Sequence, residues 1–472
     1  MIVTLLLGTA VRLYHLDAQS VWFDEAARLI IARSNIATIL KTTGGDTLPP
    51  LYHLILHFWQ LAGTQDFWTR LPSVFANILL IAVMFQLGQM LFNRRVGLIA
   101  AAITAILPYL IFHAQQANLY SQYTLLAALQ MLIFWRVQKG NTTKIIWAAY
   151  VIINLAALYT HYFAAFLLLA AHFFLLIQRP KYKQLLLADA LIVIGYLPYV
   201  NIFLGKAADV STGFWLNAPA PLQPFLTLFL LIGSYSLSHT SFIVGLVLIL
   251  ALLGFSLLEI RHHLKRNTAK KPMIFFLLIL TFLPIVVVWV ISQWLPIYLD
   301  RALLIVLPSY ILLLAYALAN TTKRSPLPII AGLIACLLVL SIYNYFDSPY
   351  YWKPNYRAAA MSLATAQSAD KAIIHTSNGS YIPFLVYLPP QNHFLLAGDP
   401  APHHPPQVYE NVHGSLIEWN QLSQFQTISL VVALDHSIEY QKAAVEEFDT
   451  HFQQLSSEEI DGIIIQTYEV KQ

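Results

Sequence analysis

Long apolar runs recur along most of the chain, and that pattern leaves few folds open. They fall near residues 1–16, 70–92, 96–114, 118–137, 145–160, 161–178, 184–204, 239–260, 273–292, 302–320 and 327–346, which makes eleven expected spans. A twelfth apolar stretch, 224–237, is short against the roughly 20 residues a span needs and reads as an interfacial or re-entrant piece. The first run is also short. It lacks the basic n-region and small-residue cleavage site of a signal peptide, so a few residues are expected to be missing before it. With 58% hydrophobic and 11% charged residues, against about 25% charged in soluble domains, the chain reads as a polytopic membrane protein.

The basic residues orient it. If the first span leaves the cytoplasm, the breaks at 93–95, 136–144, 178–184, 261–271 and 320–324 are internal. They hold fifteen of the 27 Lys and Arg residues and no Asp or Glu. That distribution satisfies the positive-inside rule with an odd number of spans. It places the loop 17–69 and everything after Phe346 outside the cytoplasm, at the plasma (inner) membrane. Residues 1–346 then form a transmembrane module, and 347–472, which is polar, acidic and rich in His and Pro, a small α/β domain. In that domain 371–376, 428–433 and 462–467 read as strands, and 355–367 and 438–455 as amphipathic helices. The lone Cys336 excludes an internal disulfide framework and a cysteine metal cluster.

The loop 17–69 concentrates the chemistry. Asp24 and Glu25 follow an aromatic patch, and Asp46 precedes the Pro49-Pro50 start of an apolar helix. Carboxylates beside a membrane are costly unless solvated or used. Asp24 also suits the cap of a helix running to Lys41, with Glu25 in its first turn, and capping does not consume a carboxylate's full acceptor capacity. His53 and His57 are four apart on one helix face, a metal-compatible spacing without a third convergent ligand in sequence.

Trp22-Phe23-Asp24-Glu25-Ala26, followed by Asp46-x-x-Pro49-Pro50-Leu51-Tyr52 ahead of a helix with His57 and Trp59, resembles the first outer loop of family-39 glycosyltransferases of the GT-C superfamily. Protein O-mannosyltransferases and the lipid A aminoarabinose transferase belong to that group. The resemblance implies transfer of a sugar from a polyprenyl-phosphate carrier to a lipid, glycan or protein acceptor outside the cytoplasm. It implies Asp24 as the base, alone or with a divalent metal, with Glu25 and Asp46 as accompanying acids. Arg301, opening the tenth span, and Arg70 match arginines common in the family and are expected at the donor phosphate, where a guanidinium suits the geometry. Snorkelling, or pairing of Arg301 with Asp300, is the structural alternative. Lys353 and Arg357 open the tail and are further candidate phosphate contacts. Gln115, Tyr120, His161, Tyr52 and His57 are candidate cavity residues.

In the turn His113–Tyr123 the chain departs from the family pattern S-Q-E-A-R-x-Y, with Gln116 for the acid and Asn118 for the arginine. That departure touches the substrate and leaves the class intact. The absence of a P-loop or dinucleotide fingerprint argues against a nucleotide-sugar donor. A transporter or flippase of lipid-linked material, or a non-catalytic binder of polyprenyl lipid, is the alternative. Missing internal repeats and carboxylates at the surface rather than the midplane argue against transport.

Overall fold

The computed structural model describes residues 1–472 except 43–47, 141–142, 179–182, 213–215, 234, 365–369, 389–390, 399–414, 434–437 and 471–472. The chain divides into two compact units. The first comprises Met1–Tyr14, Arg70–Gln115 and Leu119–Tyr351; the second comprises His15–Thr69, Gln116–Asn118 and Trp352–Gln472. The first loop and the tail, more than 280 residues apart in the sequence, therefore belong to one body.

The first unit is helical. It contains α1 (Ile2–Leu13), most of α5 (Asp66–Leu91), α6 (Arg94–Ile106), α7 (Pro108–Ala114), α8 (Tyr120–Gln138), α9 (Lys144–Leu158), α10 (Ala164–Gln178), α11 (Lys183–Thr212), α12 (Gln223–Gly233), α13 (His239–Arg266), α14 (Lys271–Ile291), α15 (Leu307–Ala319) and α16 (Leu327–Asp347). Among the described residues six helices are long and apolar enough to cross a membrane, or seven if a bent pair counts as one span. Four further apolar helices are shorter, among them α1, α9 and α12. The expected run 96–114 is not one straight helix: α6 and α7 meet at 58°. Pro108 explains the bend, because it has no N–H for the carbonyl of Thr104 and disfavours helical geometry at Leu107, which is extended. Arg12 takes over the freed acceptors. Its guanidinium, fully buried, donates to Thr104 O at 2.9 Å, Ala105 O at 2.8 Å, Gly8 O at 2.9 Å and Asn77 Oδ1 at 2.8 Å. Where α5 turns into α6, a Cβ on Gly88 would lie 2.7 Å from Gly97 Cα, so only glycine permits that approach.

The second unit begins with three helices, α2 (Phe23–Arg33), α3 (Ile36–Thr42) and α4 (Leu51–Gln60). The helix expected to run to Lys41 is two helices, broken where Ser34 becomes extended. Gln60 Nε2 donates to Leu29 O and His57 Nδ1 to Ala32 O, tying α4 to α2. The tail supplies α17 (Tyr356–Ala364), α18 (Asn378–Tyr387), α19 (Ile438–His451) and a six-stranded sheet in the order β3-β2-β1-β4-β6-β5. Its strands are β1 (Lys371–His375), β2 (His393–Leu396), β3 (Ser415–Ile417), β4 (Thr427–Val432), β5 (Gln453–Ile460) and β6 (Ile463–Glu469). β1 is parallel to β2 and β4, and β4, β6 and β5 are antiparallel.

Period-two alternation divides this core. Ala372, Ile374, Ile428 and Leu430 pack under Ala444 and Phe448 of α19, while Ile373 and Val431 pack with Ala359 of α17 and Phe384 of α18. Trp22 of the first loop packs on that second face. The three strands expected from the sequence are present. The helix expected to 455 ends at His451, and 453–460 is instead an exposed edge strand, paired with β6 after the tight Asp461-Gly462 turn.

Candidate functional site

Asp24 lies in the first turn of α2 but does not cap it. The N-cap position falls on Trp22, whose backbone is extended and whose side chain makes no cap bond, so Asp24 and Glu25 sit inside the first turn, where acids favour the helix dipole. Successive residues on a helix point about 100° apart. Glu25 therefore faces inward and is fully buried, while Asp24 stays half-exposed.

The Glu25 carboxylate is held from two directions. The backbone N–H of Ala117 donates to Oε1 at 2.7 Å, and Lys353 Nζ stands 3.7 Å from Oε2. That ammonium also lies 4.6 Å from the centre of the Trp22 ring. The next turn of α2 brings Arg28, buried, whose Nη1 donates to the Asp24 carbonyl. Arg28 belongs to no motif, but its spacing of four from Asp24 and three from Glu25 is a helix-face signal.

A second cluster joins loop and tail. Asp66, which opens α5, accepts from Arg357 Nη1 at 3.1 Å and from Tyr387 Oη at 2.7 Å. Arg357 Nη2 donates to Asp17 O at 2.9 Å, and Tyr387 Oη accepts from Val21 N–H at 2.8 Å. Arg33 reaches the last carbonyls of α18, Leu385 O and Val386 O. Lys353 and Arg357, expected at a phosphate, thus have their charged ends on carboxylates of the first loop. Asp66 is the residue that no local motif announced. Tyr52 is fully buried on α4, and Asp46 lies outside the described residues.

The first unit gathers a different set. Arg301 opens a 3-10 segment (Asp300–Val306), with its guanidinium carbon 5.7 Å from the centre of the Tyr120 ring. Asp300 accepts instead from Gln223 Nε2 and Thr227 Oγ1. Tyr120 neighbours His113 at 4.9 Å and His161 at 6.4 Å between ring centres, and His161 stacks on Tyr123 at 4.7 Å. His161 Nδ1 accepts from Phe163 N–H, which leaves the ring proton on Nε2. Arg301, Tyr120 and His161 therefore share one aromatic cluster. Gln115 is used otherwise: its Nε2 donates to Arg12 O and Tyr14 O, ending α1. Arg70 is buried on α5.

Among the described residues no three His, Cys, Asp or Glu side chains come together as a metal-ligand set. Of the other acids expected beside Asp24, Glu25 holds the Ala117 N–H and lies 3.7 Å from Lys353 Nζ, and Asp46 is outside the described residues.

Comparison with known proteins agrees with this architecture. The family model for dolichyl-phosphate-mannose-protein mannosyltransferase matches residues 47–202. Two crystal structures of ArnT from Cupriavidus metallidurans, one apo and one bound to undecaprenyl phosphate, share the fold with TM-scores of 0.66 and 0.67. They are 11% and 10% identical and aligned over 99% of this chain and 97% of theirs. The oligosaccharyltransferase AglB from Archaeoglobus fulgidus, solved with an inhibitory peptide and a dolichol-phosphate, gives a TM-score of 0.50 at 12% identity. That alignment covers all of this chain and 74% of the other. No curated protein sequence matches the chain. The resemblance to family-39-type GT-C glycosyltransferases read from the first loop is borne out by the family match and the shared fold.

Proposed function

We infer that the chain is a membrane glycosyltransferase of the GT-C type that takes its sugar from a polyprenyl-phosphate-linked donor. The observation carrying this reading is a fold shared over nearly its whole length with a protein solved with bound undecaprenyl phosphate, beside a family match over residues 47–202. The transfer is assigned to the extracytoplasmic face. The basic, acid-free breaks between spans support that orientation.

The Asp24 carboxylate takes the proton of the acceptor's hydroxyl or amine as that atom attacks the anomeric carbon. The bond from that carbon to the phosphate oxygen breaks, its electron pair leaves on the polyprenyl phosphate, and a single displacement inverts the centre. Of the adjacent acids, Asp24 suits the base because its side chain retains exposure while Glu25 is buried between a backbone N–H and an ammonium. Arg301, presented from the aromatic cluster, is assigned to the phosphate, where negative charge develops on the leaving group. Arg70 is its second candidate. Tyr120 and His161 are assigned to the pocket around Arg301, and the acceptor class is a lipid, glycan or protein of the envelope.

The test uses purified protein in lipid nanodiscs with undecaprenyl-phosphate-linked hexoses and pentoses and extracted envelope acceptors. Asp24→Asn should bind undecaprenyl phosphate normally and turn over roughly a hundredfold more slowly or worse, the range for a positioned general base. Arg301→Ala should weaken donor binding as well as turnover, because it removes a contact present before the chemistry. Substantial turnover by Asp24→Asn would send the search for the base to Asp46.

A further inference from the structure

Glu25 stands where three stretches of chain meet: the first turn of α2, the turn Gln116–Asn118 and the opening of the tail. Its Oε1 accepts from the Ala117 N–H, its Oε2 lies 3.7 Å from Lys353 Nζ, and no part of it reaches solvent. An ionised carboxylate persists in such a place when it is both paired and hydrogen-bonded, as here.

Lys353 is itself fixed by its neighbours. Its own N–H points at Gln19 Oε1 at 3.4 Å, and its ammonium rests over Trp22. Ser20 Oγ donates to Pro354 O at 2.9 Å and accepts from Tyr356 N–H at 3.1 Å. The stretches 19–25 and 353–356 are thus laced together on both sides of the ion pair.

We propose that Glu25 and Lys353 form a positioning pair that locks the first turn of α2 and so sets the direction in which Asp24 presents its carboxylate. The inference rests on the assignment of Asp24 as base. Glu25 is one residue further along the same turn, so any rotation that released it would swing Asp24 with it. In this role neither member needs to contact substrate. Glu25 is sealed from the acceptor, and its charge is matched to an ammonium rather than held ready for a proton. The tail domain, on this view, carries the counter-ion that keeps the base aimed.

The experiment uses the full chain in nanodiscs with the same donors and acceptors. Glu25→Gln keeps the acceptor for Ala117 and removes the charge. It should lower kcat by about tenfold to a hundredfold, the scale of a small misplacement of a catalytic group, with donor KM within twofold of wild type. Lys353→Met should do the same and Lys353→Arg should restore most of the rate. The double variant Glu25→Gln/Lys353→Met should be no slower than the slower single variant.

The decisive arm is the Asp24→Asn background, where Glu25→Gln should cost nothing further, because a residue acting through Asp24 has nothing left to aim. A stability role would still reduce residual turnover and thermal stability there, and that result overturns the proposal. So does a wild-type kcat in Glu25→Gln beside an inactive Asp24→Asn. An active Asp24→Asn is a different failure, that of the base assignment itself. If Glu25→Gln is poorly folded, the Lys353 series decides by the same kcat and KM criteria.

Discussion

Arg12 in the helical unit and Glu25 in the loop–tail unit are both fully buried charges, and they are accommodated in opposite ways. Arg12 is surrounded by neutral acceptors, three backbone carbonyls and the Asn77 amide oxygen, two of those carbonyls set free by the break at Pro108. Glu25 is met by an ammonium from the far end of the chain. In the helical unit a charge repairs a local defect in the backbone ladder, and its partners lie on neighbouring helices. In the loop–tail unit charge answers charge across hundreds of residues, and the same holds for Asp66 with Arg357. The first device holds a helix break together; the second ties a domain to the loop that carries the proposed base.

The sharpest way to break this comparison is to remove Arg12. Arg12→Met leaves Thr104 O and Ala105 O without their donors in an apolar setting, at about 1–3 kcal/mol each, so a loss of roughly 3–5 kcal/mol is expected. The midpoint of thermal unfolding in nanodiscs should fall by roughly 3–5 °C. Arg12→Lys should fall between, since one ammonium cannot reproduce the guanidinium's fork to two carbonyls. An unchanged midpoint for Arg12→Met would mean that the break at Pro108 needs no cap.

The next effect belongs to the tail and depends on pH. His375 and His393 touch through their Nε2 atoms at 2.6 Å, and His375 Nδ1 faces Ser380 Oγ at 2.9 Å. Ser380 Oγ donates to Ser377 O, so it accepts from His375 Nδ1–H; His375 Nε2 is then the acceptor and His393 Nε2–H the donor. Both rings are neutral in this arrangement. Burial pushes both titrations down, His393 to about 3, with the neighbouring ring adding to the effect on His375. The unfolded chain takes up protons near the ordinary histidine value of about 6.5, and the folded domain does so only at lower pH. Stability is therefore complete above about pH 6.5 and declines as pH falls toward the folded values. The slope approaches 1.4 kcal/mol per pH unit for each histidine. Hydrogen-exchange protection of the amides at 371–388 and 391–396 in the full chain, taken relative to the intrinsic rate at each pH, should fall between pH 7 and 5, and His375→Leu/His393→Leu should flatten that dependence.

These two sites also mark what was legible in the sequence. The apolar runs announced most of the helical unit, because a bilayer imposes a local requirement on every segment. The bend in 96–114 was written in Pro108, but the role of Arg12 was not, since its acceptors are backbone atoms with no residue signature. In the tail, β1, β4 and β6 showed as β-branched runs, whereas β2 and β3 are only four and three residues long. β5 reads Gln-Gln-Leu-Ser-Ser-Glu-Glu-Ile and is exposed on both faces, so it carries no alternation to detect. Asp24 and Glu25 stood out by motif, but the division of labour between them depends on Lys353 and Ala117, which nothing near residue 25 predicts. Charge pairs that close over hundreds of residues leave two unremarkable residues in the sequence and one contact in the fold.

The smallest expected effect tests whether the second charge pair of the loop–tail unit behaves as Glu25 does. Asp66 is buried, but the Arg357 side chain is 33% exposed, so water and salt screen the pair. Arg357→Met and Asp66→Asn should each cost about 1 kcal/mol. The double variant should cost little more than either alone, a coupling of roughly 0.5–1 kcal/mol that shrinks at high salt. Asp66→Asn keeps an oxygen for the Tyr387 hydroxyl, so that anchor should survive. Turnover should fall less than in Glu25→Gln, because Asp66 stands outside the turn that aims Asp24. A kcat loss in Arg357→Met as large as that in Lys353→Met would show that the whole seam between tail and first loop, rather than the pair at Glu25, sets the geometry of the base.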